Sequence, residues 1–196
     1  MFIELAEFLR CPEAHDPDPY LVLVPDGMEG RQVTSGNVAC PTCRREYPIV
    51  DGVVQFGAAD ATRDPPALPD GGAIQALLGL GGPGGYVVLV GSAAAAAAQL
   101  ADRMKGIQFV AVNAPAGVET PSVLSRLVHP AMLPLKTSMV RGVVVGDAHC
   151  YASWLDEGAR VLLRGRRLVA LRETVPPTAD ISPLASGRGM SVGEKT

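Results

Sequence analysis

Tyr86-Val-Val-Leu-Val90-Gly91-Ser92, followed by the alanine run 93–98 and by Gln99-Leu100-Ala-Asp-Arg-Met104, is the stretch on which the fold turns. Five apolar residues in a row describe a strand buried on both faces, as in a parallel sheet. The glycine ends that strand, and the small residues after it predict a helix over 92–104. Outward from this unit the same alternation repeats. Buried strands are expected over 107–112 and 142–145, and helices over 121–128 and around 151–155. Further strands are expected over 160–163 and 168–171, with a last one over 190–192. Ahead of it, 74–80 reads as a short helix stopped by Gly81-Gly82-Pro83-Gly84-Gly85. Strand–helix alternation predicts a mostly parallel α/β sheet with helices on its faces. Aromatic residues make up only 5% of the 196-residue chain, so Val, Leu and Ala must build its core. The Pro/Ser/Gly-rich stretch 176–189 reads as either a loop before the last strand or a mobile segment.

The pattern differs before residue 57. Residues 1–10 place Phe2, Leu5, Phe8 and Leu9 on one side of an amphipathic helix and Glu4 and Glu7 on another. A strand is expected over 20–24, ended by Pro25-Asp26-Gly27, and a returning strand over 31–34, ended by Ser35-Gly36-Asn37. Strands over 46–50 and 53–56 flank Asp51-Gly52, a strong hairpin signal. The segment between them and residue 73 is rich in Pro, Gly and Asp and marks a boundary. The expected organisation is a small β module over 1–57, a linker over 58–72 and an α/β domain over 73–196.

Three of the four cysteines fall within residues 11–43. In a reducing compartment such clustering favours a metal over disulfides. Cys40-Pro-Thr-Cys43 is a knuckle whose two sulfurs can face one ion across a tight turn, and zinc takes four such ligands in a tetrahedron. Ala14 stands where a second knuckle would have its cysteine, which leaves Cys11 and His15 as the other pair. The candidate ligand set is therefore Cys11, His15, Cys40 and Cys43, with a nearby aspartate as the other choice for the fourth place. A metal-free remnant with small buried thiols is the competing reading.

Leu9-Arg-Cys11-Pro12, together with Cys40-Pro-Thr-Cys43 and Tyr47-Pro48-Ile49-Val50-Asp51-Gly52-Val53, resembles the small zinc-binding activators of tRNA, rRNA and release-factor methyltransferases. The resemblance implies a zinc-ribbon-like module that orders a methyltransferase domain and performs no chemistry itself. The later segments are similar to a class I S-adenosylmethionine-dependent methyltransferase: Leu133-Pro134-Leu135 leading into Gly142-Val-Val-Val-Gly146, then Gly158-Ala-Arg-Val-Leu-Leu163. It implies a Rossmann-like domain. That family's cofactor contacts are altered here. Only Gly91 survives of its glycine run, Ala93 and Ala95 standing for the later glycines. Asn113 replaces the ribose-binding acid, and His129 or Pro130 replaces the acid after the third strand.

The expectation is a non-catalytic scaffold, a pseudoenzyme that has no catalytic residues and acts through another protein or a second copy of itself. The alternative is an active methyltransferase in which Gly91, Ser92, Asn113 and Asp147 line S-adenosylmethionine. Asp147-Ala-His149-Cys150 follows a strand end, where His149 could serve as a base and Cys150 as a nucleophile. The shortened segment between the second and fourth strands predicts an incompletely covered sheet face. A net charge of −3 and the lack of a basic tract argue against nucleic acid. No apolar run is long enough for a membrane span, and residues 1–10 lack the basic start of a signal peptide, so a cytoplasmic location is expected.

Overall fold

The computed structural model describes residues 1–58 and 68–196, so the expected linker lies largely outside the described residues. The N-terminal region forms an antiparallel meander of β1 (Val22–Glu29), β2 (Gln32–Ala39), β3 (Glu46–Val50) and β4 (Val53–Gln55). Asp51 and Gly52, at φ 49° and 73°, turn β3 into β4 with the positive dihedrals a two-residue hairpin requires. The C-terminal region supplies β5 (Tyr86–Val90), β6 (Gln108–Val112), β7 (Leu124–Val128), β8 (Val140–Val145), β9 (Leu162–Ala170), β10 (Ile181–Gly187) and β11 (Met190–Lys195). All eleven lie in one sheet, ordered β1-β2-β3-β4-β7-β6-β5-β8-β9-β11-β10. The strands from β7 to β9 are parallel, and β11 runs antiparallel to both β9 and β10. Chain order reverses between β5 and β8, the switch point of a doubly wound sheet. The fold is thus mixed α/β with a mostly parallel central sheet.

The two regions join through backbone hydrogen bonds. Strand β4 pairs in parallel with β7, Val53 to Arg126, Val54 to Leu127 and Gln55 to Val128. Central strands are buried on both faces and sort their side chains by parity. Val87, Leu89, Phe109 and Ala111 face α1 (Gly71–Leu78) and α2 (Ala97–Arg103). Val88, Val90, Val110 and Val112 face the opposite way, toward Met1, Leu5 and Leu9 and toward Trp154 and Leu155 of α3 (Ala152–Val161). The first helix is capped by Asp70, whose carboxylate accepts from the Gly72 and Ala73 amides at 2.9 and 3.1 Å.

The face expected to lie open is therefore covered by the chain's own N-terminus. The 3₁₀ segment Ile3–Phe8 lies on it. The Phe2 amide donates to the buried Ser125 hydroxyl at 2.8 Å, and Leu9 bridges to Leu135. Each of Met1, Leu5 and Leu9 is buried, worth roughly 1.5–3 kcal/mol apiece. The loop 129–139 completes the cover, held by Arg160 of α3. That guanidinium donates to Leu133 O and Leu135 O, each at 2.8 Å, and pairs with Glu157 at 2.7 Å.

Several sequence expectations require correction. Residues 121–128, expected as a helix, are a turn and then strand β7. Val123, Leu124, Leu127 and Val128 mimic helical spacing, but the segment pairs in parallel with β6 and β4 instead. The expected loop 176–189 contains β10, an edge strand that tolerates Pro183 at a register shift. Strands β1 and β2 run through the supposed turns. Pro25 sits beside a bulge on the other edge strand. Gly36, at φ 142°, lies so close to the Val24 carbonyl that no β-carbon fits. The expected strand over 160–163 is split, since α3 continues to Val161 before β9 begins. The N-terminal helix is 3₁₀, and the helix over 92–104 starts as a 3₁₀ turn, Gly91–Ala96.

Candidate functional site

Two places hold the chemistry-bearing residues. The first is a thiol–imidazole cluster beneath the meander. Cys11 follows directly on the segment docked against residues 133–136, because the Arg10 amide donates to Pro134 O at 3.0 Å. Cys40 and Cys43 come from the turn between β2 and β3. That turn is closed by Arg44 N to Cys40 O at 2.9 Å, with Arg44 at φ 61°. His15 returns to it from the loop before β1. The sulfurs of Cys11, Cys40 and Cys43 and a ring nitrogen of His15 all lie within 4.8 Å of one another. Cys11 Sγ is 3.7 Å from Cys43 Sγ, and Cys40 Sγ is 3.5 Å from His15 Nε2. A tetrahedral zinc with bonds of about 2.3 Å to sulfur and about 2.0 Å to nitrogen has S–S edges of about 3.8 Å and S–N edges of about 3.5 Å. The Cys11–Cys43 and Cys40–His15 separations match those edges, and the four residues have the chemistry of a structural zinc site.

The local electrostatics favour thiolates unevenly. Burial opposes ionisation of Cys40, but the Cys43 and Thr42 amides and the neighbouring thiols outweigh it and hold this thiol below its ordinary value. Burial dominates at Cys11 and pushes it up to about 11, against hydrogen bonds from the Tyr47 hydroxyl and the Glu13 amide. Once one thiol of the cluster ionises, the next is harder to ionise unless a cation arrives.

The second place is the crevice at the C-terminal ends of β5 and β8, where a doubly wound sheet receives ligands. Here it is closed. The Gly146 amide donates to Val90 O at 2.9 Å, joining the two strand ends. A β-carbon on Gly146 would overlap Ser92 Oγ and the Val90 carbonyl. Gly91, at φ 58°, lies against the His149 ring so tightly that a β-carbon there would overlap Nδ1 and Cε1. The ring is edge-on to Trp154 with centroids 5.0 Å apart. Its Nδ1 is buried without a hydrogen-bond partner, and burial lowers its pKa, so the imidazole is neutral at pH 7. Ala93, Ala94, Ala96 and Ala97 are fully buried.

The other residues named for this crevice are engaged elsewhere. Asn113 donates from Nδ2 to His129 O at 2.7 Å and accepts from the His129 amide at 3.0 Å, so its amide group bridges two backbone segments. His129 accepts from the Ala131 and Met132 amides through Nδ1. Asp147 is exposed and paired with Arg172 at 2.6 Å, which holds its carboxyl below the usual range. Cys150 is buried, its thiol facing Val145 O and Gly146 O and raised to about 11 by burial. His149 Nδ1 has no hydrogen-bond partner and the Cys150 thiol faces two main-chain carbonyls, so no hydrogen bond joins the two as base and nucleophile. A cavity of about 570 Å³ between α3 and β9–β11, lined by Leu155, Leu168, Val175, Ile181 and Val192, touches none of these residues.

No family model matches the chain, and no curated protein matches it. Solved structures similar to it include the Haloferax volcanii Trm112 methyltransferase activator in complex with a putative methyltransferase, at 24% identity and TM-score 0.41, covering 51% of this chain and 50% of that one. Geranyl diphosphate C-methyltransferase from Streptomyces coelicolor A3(2) is similar at 16% identity and TM-score 0.43, over 51% of this chain and 43% of that one. The antibiotic-resistance methyltransferase Kmr is similar at 14% identity and TM-score 0.43, over 66% of this chain and 94% of that one. The chain spans about half the length of the first two.

Sequence reasoning brought forward all four members of the cluster. It did not find Arg160 and Glu157, which lock the loop over the sheet, nor the place of His149 against Gly91. The spacing Glu157-x-x-Arg160 at the end of a helix was the available signal for the first pair.

Proposed function

We propose that this chain is a non-catalytic accessory protein, a methyltransferase-like sheet whose cofactor crevice is filled by its own residues. The observation that carries the reading is the seat of His149 on Gly91, beside four alanines with no exposed surface. An adenosyl group in such a fold needs glycine backbone it can approach, and here that approach is taken. Gly91 is taken by His149, Asn113 by His129 and Asp147 by Arg172, so no step of methyl transfer is assigned to them. The competing reading, an active S-adenosylmethionine-dependent methyltransferase, is favoured by the intact strand order alone.

On the same reading Cys11, His15, Cys40 and Cys43 hold one zinc ion, which would supply a four-point crosslink and no Lewis-acid chemistry. The module then serves as a built-in lid for the sheet face. Its outer surface carries Tyr20 at 73% exposure and Val22, Val24 and Val50 at 51%, an apolar patch suited to another protein or a second copy. A thiolate-bound zinc agrees with a reducing, cytoplasmic setting.

Calorimetric titration with S-adenosylmethionine is the deciding experiment. No binding stronger than millimolar is expected, and micromolar affinity would establish the enzyme reading in its place. Light scattering across a concentration series is expected to show a dimer or a larger assembly. A monomer that co-purifies with no partner counts against the scaffold role.

A further inference from the structure

Tyr47 is buried at 6% exposure, and its hydroxyl lies 3.2 Å from Cys11 Sγ. Cys11 itself has no exposed surface. A thiolate in that position has no water to satisfy it, and an unsatisfied buried anion is expensive. Besides a metal and the thiols of Cys40 and Cys43, its polar neighbours are the Glu13 amide and this hydroxyl. The sulfur of Cys40, by contrast, receives the amides of Cys43 and Thr42 from its own turn. Cys11 is not part of such a turn, so a side chain from another strand takes over part of that work.

The hydroxyl is held in place independently of the cluster. Tyr47 sits on β3 opposite Val38, on the inner face. Its ring packs on Phe56 with centroids 4.7 Å apart, and the Phe56 amide donates to Val128 O at 2.9 Å where β4 meets β7. The donor is thus anchored to the seam between module and sheet.

We propose that Tyr47 is a positioning residue for the metal. Its hydroxyl donates to the Cys11 thiolate, fixes that sulfur's direction and raises the affinity of the Cys11–His15–Cys40–Cys43 cluster for a thiophilic divalent cation. The inference rests on the metal reading above and goes beyond it by assigning an outer-shell donor. Such donors typically govern affinity by about 10–100-fold.

The test compares the full chain with Tyr47→Phe, which keeps the ring and removes the hydroxyl. Zinc affinity is read at one pH by competition with a chromophoric chelator, and Co²⁺ is added separately for its spectrum. Tyr47→Phe is expected to weaken zinc about tenfold or more and to move the sulfur-to-cobalt charge-transfer band to longer wavelength, since an unbonded thiolate gives up an electron more easily. The position of the cobalt band, which a loss of packing alone does not move, separates this role from a structural one. In a Cys11→Ser background Tyr47→Phe is expected to change affinity by less than threefold. Equal affinity and an unmoved band in an otherwise metal-binding protein overturn the inference. Failure of the unsubstituted chain to take up zinc or cobalt overturns the metal reading instead.

Discussion

Stripping the metal with a strong chelator, or replacing Cys40 by serine, is expected to unfold residues 1–58 while much of β5 to β9 stays paired. Elemental analysis is expected to give about one zinc per untreated chain and less than a tenth of that in Cys40→Ser. The size of the effect follows from how little else holds the module. Structural zinc sites contribute apparent binding free energies of about 10–16 kcal/mol near pH 7, as much as the whole stability of an ordinary domain. The inner side of the meander is lined by Val33, Val38, Tyr47, Ile49 and Val54, a core of modest size. The consequence is not confined to the meander. Cys11 adjoins Arg10 and Leu9, which pair with the 133–136 loop, so loss of the cluster frees Met1, Leu5 and Leu9 from Val88, Val90, Val110 and Val112. Hydrogen exchange should accelerate over 1–58 and over 124–128 together, and a hydrophobic dye should bind only the metal-free form. A metal-free chain with unchanged exchange and no dye uptake would show that the module stands without its crosslink.

Arg160→Ala is expected to remove about 3 kcal/mol, the lower end of what breaking a buried pair costs, because both side chains keep about a fifth of their surface exposed. The substitution leaves the Leu133 and Leu135 carbonyls without their donor and Glu157 with the Leu133 amide as its remaining bonded partner. For a chain of this size the melting temperature should fall by about 6–12 °C. The same pair gives a pH signature. Burial raises the Glu157 pKa, yet the Arg160 hydrogen bonds and charge, the Leu133 amide and the more distant Arg10 outweigh it, so the folded-state value lies below the ordinary one. A depressed carboxyl stabilises the fold fully above its unfolded value, near pH 4.5, and that contribution drains away as pH falls through the folded value. Glu157→Gln should lose this part of the acid dependence. A variant whose melting temperature follows pH 3–6 in parallel with the unsubstituted chain would refute the assignment.

What could be read in advance divides along a physical line. Tyr86–Val90, Gln108–Val112 and the core of Val140–Val145 were legible because strands buried on both faces are apolar without interruption. The Asp51-Gly52 turn was legible because two positive dihedrals select those residues. Leu124–Val128 was misread because its apolar spacing satisfies a helix as well as a strand, and only pairing with β6 and β4 decides between them. Ile181–Gly187 looked like a loop because Pro183, Ser182 and Ser186 are tolerated at a sheet edge. The cluster of Cys11, His15, Cys40 and Cys43 was visible because two close pairs of soft ligands are rare by chance. The use of His149 as packing against Gly91 was not visible, since a histidine past a strand end looks the same whether it faces solvent or fills a gap. Nor could the cover over the central sheet be foreseen, because Met1, Leu5 and Leu9 lie far along the chain from the strands they protect.

The parallel seam between β4 and β7 carries one more implication. Its two halves belong to a single polypeptide, so each meets the other at a higher effective concentration than a separate chain would. A free-standing activator, or the edge strand of an unrelated enzyme, would have to outcompete that local excess at ordinary cellular abundance. Any separate strand offered to β7 therefore competes with a partner already tethered beside it.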